Sequence, residues 1–122
     1  MKQVIFLMLL FGFFMQLQSC ISKNEVELYG CDTSKVSYLK HIRPIIQNNC
    51  YKCHDANNAI LFGDKHFLDN YDSLKAHIRE GKFIGSIDWE VGYSGMPKGA
   101  KKLNDCDILK IKAWIHQDTL NN

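Results

Sequence analysis

The chain has 122 residues, of which 23% are charged and 46% hydrophobic, with a formal net charge of +2 and an isoelectric point near 8.3. These values describe one globular domain and exclude wholesale disorder, a fibrous repeat and a second domain. The charge balance is too mild to argue for nucleic acid, and there is no run of five or more Lys/Arg.

Residues 1–19 read as an address rather than as part of the fold. Lys2 precedes an uncharged apolar run from Val4 to Phe14. That run is shorter than the ~20 residues needed to cross a bilayer but suits the core of an export signal. Leu17-Gln18-Ser19-Cys20 resembles the bacterial lipobox, which implies a lipidated Cys20 as the mature N-terminus. A plain secretory signal with Cys20 as a bystander is the simpler alternative. Either way the domain is expected outside the cytoplasm, as a periplasmic or cell-surface protein of the bacterial envelope, where disulfides persist. Residues 20–30 form a tether, and residues 31–122 the domain.

Leu39, Ile42, Ile45 and Ile46 mark an amphipathic helix over 36–49 with Ser37 as its cap. Pro44 inside that span either kinks the helix or opens a new first turn. The pattern runs into Cys50-Tyr51-Lys52-Cys53-His54, and C-x-x-C-H is the attachment sequence of c-type haem. Two thiols three positions apart lie on one side of a helical turn. From there they can add to the two vinyl groups of one haem, with His54 beneath the iron. A redox C-x-x-C would need a preceding strand and a βαβ pattern, and a zinc site a second ligand pair; neither is visible.

Asp69 or Asn70 caps a second helix through Glu80, with Tyr71, Leu74 and Ile78 on one stripe and Gly81 as its stop. Gly92-Tyr93-Ser94-Gly95-Met96-Pro97-Lys98-Gly99 is a loop, and Pro97 biases Met96 toward an extended backbone. Met96 is the one methionine outside the signal, and its thioether is the expected sixth iron ligand. His41, His66, His77 and His116 are the competitors, His77 foremost because it lies on a helix. Trp89 and Tyr93 read either as hydrogen-bond donors to haem propionates or as loop packing.

The last helix starts at Asn104, with Asp107 as its capping-box partner and Leu103 and Ile108 as a hydrophobic staple. Its apolar face is Ile108, Ile111, Trp114 and Ile115, expected to bury Trp114 against the Ile42/Ile45 region. With Cys20, Cys50 and Cys53 assigned, Cys31 and Cys106 remain. A disulfide between them is the natural expectation in an oxidising compartment, and two separate buried thiols are the alternative.

Taken together, Cys31-Asp32-Thr33, Ile42–Ile46, Cys50–His54, Leu68–Tyr71, Gly95-Met96-Pro97 and Leu103–Asp107 continuing to Ile111–Ile115 resemble a class I cytochrome c domain. They are closest to the small cytochrome c lipoproteins of the Bacteroidetes type. The resemblance covers roughly 31–118. It implies an all-α, cytochrome c-like fold of about three core helices around one covalent haem c, bound through Cys50 and Cys53 and ligated by His54 and Met96. Mitochondrial-type members carry a Gly-Pro whose carbonyl orients the proximal histidine. Residues 55–65 contain no Pro, so another backbone carbonyl is expected to accept from His54.

The expected function is electron transfer without catalysis of its own, as a membrane-anchored monomer or a subunit of a larger complex. Lys52, Lys82, Lys98, Lys101 and Lys102 are placed to steer an acidic redox partner, or simply form a solvated face. The other readings are a haem domain that binds a small ligand, a haem subunit of a larger redox complex, and a zinc module on Cys50, Cys53 and His54.

Overall fold

A computed structural model describes residues 30–122, and the signal, Cys20 and the tether before residue 30 lie outside them. The described chain is all-helical, with no strand among the described residues. A π-helical turn, Tyr38–Ile42, leads into α1, Arg43–His54. Then come α2, Ala59–Phe62; α3, Tyr71–Arg79; α4, Phe83–Ile87; and α5, Asp105–His116. No described helix is long and apolar enough to cross a membrane.

Pro44 determines how the first helix begins. It has no N–H to donate, and its ring would strike the carbonyl four residues back in a regular α-helix. The chain answers by opening a wide turn ahead of it. Ile42 N donates to Ser37 O at 3.2 Å, and Arg43 N donates to Tyr38 O, both one residue beyond α-helical spacing. Pro44 then occupies the first turn of α1. Because a π turn carries more residues than an α turn, the apolar stripe shifts in phase. Tyr38 is buried and Leu39 is 54% exposed, so the expected stripe fails at its first member and holds at Ile42, Ile45 and Ile46.

The core joins these three isoleucines to Val36, Leu68, Leu74, Phe83, Ile87, Leu103, Ile108, Ile111 and Trp114. Trp114 is fully buried, and its indole N–H donates to Leu120 O at 2.9 Å. Its ring stacks on Tyr38 (centroids 5.7 Å apart), and Tyr71 meets both rings edge-on. Trp114 therefore shares a core with Ile42 and Ile45 as expected, but its ring partner is Tyr38. The Tyr71 hydroxyl donates to Thr119 O at 2.7 Å, tying α3 to the chain beyond α5.

Three capped starts match their sequence signals, the first at Ser37, whose Oγ accepts from Lys40 N at 3.3 Å. Asn70 Oδ1 accepts from Ser73 N at 2.9 Å, and Asn104 Oδ1 accepts from Asp107 N at 2.8 Å. The second half of the box is altered, because Asp107 Oδ2 accepts from the Asn104 side-chain amide rather than from its backbone. Leu103 and Ile108 are both buried, as a staple requires.

The first and last parts of the described chain are knitted together. Cys31 and Cys106 are disulfide-bonded, with Cα atoms 5.5 Å apart and a sequence separation of 75. Gln117 accepts from Val36 N and donates to Thr33 O, and Asn122 accepts from the backbone N–H groups of Tyr38 and Leu39. Asp88, after α4, pairs with Lys102 Nζ at 2.6 Å and with Lys112 on α5. The Lys102 hydrogen bond, then that of Lys112, holds the Asp88 carboxyl below its ordinary value.

Two outcomes follow for stability. Replacing Cys31 and Cys106 together by Ser should lower unfolding free energy by about 4 kcal/mol in the chain-entropy picture, read by chemical denaturation without reductant. Asp88→Asn should cost about 0.5–1 kcal/mol near neutrality. A depressed folded-state pKa contributes stability above the unfolded value of ~3.9 and loses it as pH falls through the folded value. The difference between Asp88→Asn and the parent should therefore shrink toward zero in acid, measured as thermal midpoints from pH 7 downward.

Candidate functional site

Cys50, Cys53 and His54 occupy the last turns of α1, with both cysteines free and all three half-buried. This end of a helix is the negative end of its dipole, which disfavours a thiolate. Burial, then the neighbouring Cys53, pushes the Cys50 thiol up to about 12. A dithiol of the thioredoxin kind has the opposite arrangement, a helix N-terminus and a depressed leading thiol. The pair is thus poorly suited to thiol exchange as it stands.

His54 is held by the chain that returns beneath it. After α1, Asp55 accepts from Asn57 N and Asn58 N and starts α2. Asp64 and Lys65, both at positive φ (51° and 62°), turn the chain back. The returning segment then meets His54 twice: Leu68 N donates to His54 O at 2.8 Å, and His54 Nδ1 lies 2.9 Å from His66 O. A carbonyl only accepts, so Nδ1 carries a hydrogen, and in the neutral ring the lone pair is on Nε2. This tautomer is the one a metal-binding imidazole needs, and the carbonyl partner is a familiar orienting device for such a ligand. The expected carbonyl acceptor thus belongs to His66.

The close approach depends on Gly63. A Cβ there would lie 2.4 Å from Cys53 O and 2.9 Å from both Ala59 Cα and His54 Nδ1. Gly63 and Ala59 are both buried, and neither carries a sequence signal by itself. In contrast, Ile60, Leu61 and Phe62 on α2 are 64%, 77% and 67% exposed, an apolar ledge directly after the motif.

Met96 is half-buried on a braced loop. Its N–H donates to Ser86 O at 2.9 Å, and its carbonyl accepts from Trp89 Nε1 at 2.7 Å. The Tyr93 ring lies so close to Gly85 that an added Cβ would sit 2.5 Å from it, and the Trp89 ring lies against Gly95. Trp89 has a φ of 58°, uncommon for so large a side chain. Of the two readings of Trp89, loop packing describes it: the indole N–H is taken by Met96 O.

Three of the other histidines have partners of their own. His41 Nδ1 accepts from Ser37 N, and His116 is exposed. His77 stands against His66, with ring centroids 4.3 Å apart, and its Nδ1 is 3.0 Å from Glu80 Oε2. Burial holds His77 below the ordinary imidazole value, with the Glu80 hydrogen bond opposing. Among the described residues, the ligand atoms gathered within 4.8 Å as a group of three belong to His66, His77 and Glu80, not to Cys50, Cys53 and His54. Of the expected steering lysines, Lys52, Lys82, Lys98 and Lys101 are exposed, while Lys102 is paired with Asp88.

Gly63→Ala should force the Cys53 carbonyl and the His54 ring to move. The expected cost is about 1–3 kcal/mol of stability, as for other overpacked sites, measured by denaturant titration. No protein-family model, curated protein or solved structure matches the chain, so the chemistry of this site is argued from its own residues.

Proposed function

We propose that the chain is a monohaem c-type cytochrome, an exported, lipid-anchored electron-transfer protein with a cytochrome c-like fold. The observation that carries the reading is His54: it follows two free thiols on one helix end, and its Nδ1–H is fixed on the His66 carbonyl so that Nε2 is left for a metal. The donor set fits the group. Cys50 and Cys53 would hold haem c by adding each S–H across a vinyl group, which leaves two thioethers and no free thiolate. A Cys50 thiol that burial pushes up is ill suited to the redox-dithiol reading. The exposed Ile60, Leu61 and Phe62 offer apolar surface beside the motif, suited to an apolar ring system.

When bound, haem c supplies a one-electron couple. His54 would offer Nε2 to the iron, and the His66 carbonyl, 2.9 Å from Nδ1, keeps the ring from turning. Met96 would offer its thioether as a second ligand, from a loop whose backbone is held by Ser86 and Trp89. His/Met ligation places the potential above that of a bis-His site. With both side chains engaged, the chain's task would be to hold them in place and keep small ligands out. Lys52, Lys82, Lys98 and Lys101 are left to attract an acidic partner.

Correctly matured protein should carry the mass of one haem after denaturation and remain red after acid-acetone extraction. A colourless chain would leave the zinc reading in its place. The ferric spectrum should show a weak sulfur-to-iron band at the red edge, lost in Met96→Ala and retained in His77→Ala. Ferrous protein should resist carbon monoxide, and rapid, complete binding would instead favour a haem domain that takes small ligands.

A further inference from the structure

Three side chains that the proposed electron-transfer site does not use, two half-buried histidines and an exposed glutamate, meet beside the return loop. His77 and Glu80 lie one turn apart at the end of α3, with Nδ1 and Oε2 already 3.0 Å apart. The His66 ring faces them from the loop, and one ligand atom from each residue lies within 4.8 Å of the others. We propose that His66, His77 and Glu80 form a binding site for a borderline divalent transition-metal ion of the zinc type.

Two imidazoles and a carboxylate are the donors such ions select, whereas hard ions such as calcium and magnesium favour sites made of oxygen. The 3.0 Å separation of His77 and Glu80 is close to the bite of a cation with bonds of about 2.0–2.2 Å. Closing the third side asks for a small inward movement of His66 or Glu80. Glu80 has that freedom, with its side chain 56% exposed. No described residue makes a hydrogen bond to the His66 ring, while its backbone carbonyl is taken by His54. The residue is therefore pinned by its main chain and keeps its ring nitrogens for another partner. Phe83 meets the His77 ring edge-on (centroids 5.9 Å), which limits how far that imidazole turns. Three protein ligands leave a fourth position for water.

The site does not depend on haem being present, and its test reads metal content rather than electron transfer. Untagged mature protein, free of polyhistidine, is dialysed against Zn²⁺ and analysed for bound metal. The expected result is one zinc per chain, with no uptake of Ca²⁺ under the same conditions. His77→Ala and Glu80→Gln should each weaken zinc binding by about tenfold or more, and His116→Ala should leave it unchanged. Amide chemical shifts of the unaltered protein give a second readout that needs no variant. On adding Zn²⁺, shifts should concentrate around residues 64–68 and 76–81. Absence of zinc uptake, or uptake unaffected by His77→Ala and Glu80→Gln with shifts centred on His41, His116 or Cys50–His54, would overturn the assignment.

Discussion

An imidazole facing a main-chain carbonyl across 2.9 Å has no choice of tautomer, and the contact between His54 and His66 sets the terms for much of the surrounding chain. To bring that carbonyl under the ring, the segment after α1 must fold back sharply, which requires two consecutive left-handed residues at Asp64 and Lys65. It must also approach so closely that position 63 tolerates no side chain and position 59 holds only a methyl group. The second bond, from Leu68 N to His54 O, locks the same segment to the helix end and hands Leu68 to the core. The result is a histidine whose orientation is decided by tertiary structure rather than by its own rotamer preference.

Features that depend on one residue and its near neighbours were legible in the sequence. The Asn70 and Asn104 caps, the Leu103/Ile108 staple and the place of Pro44 at the start of a helix all follow from local chemistry. The cysteines left after the motif was assigned are the ones the structure joins. Features that depend on phase or on distant approach were not. The π turn before Arg43 exchanged Leu39 for Tyr38 in the core, and no periodicity count anticipates an inserted residue in a turn. In α4 the buried residues are Phe83, Gly85 and Ile87, an alternation that reads as a strand and is realised as one short helical turn. Gly63 looks like any loop glycine until the helix end it touches is known. Trp89 and Lys102 were legible as polar handles, but their partners, Met96 and Asp88, are set by the fold.

Residue 66 links two different kinds of chemistry. Its main chain serves His54, and its side chain stands with His77 and Glu80. Met96, on the loop after α4, is treated in a similar way, with main-chain groups fixed by Ser86 and Trp89. In both cases the backbone is held by hydrogen bonds, which lowers the entropy the side chain would lose on taking a ligand.

The bond between Cys31 and Cys106 also has a mechanical meaning. Cys106 lies in the first turn of α5, the helix that carries Ile108, Ile111 and Trp114 into the core. A pull arriving along the residues before Cys31 crosses two sulfur atoms and enters that helix directly. The residues between the two cysteines, including the loop that supports His54, are bypassed by that route.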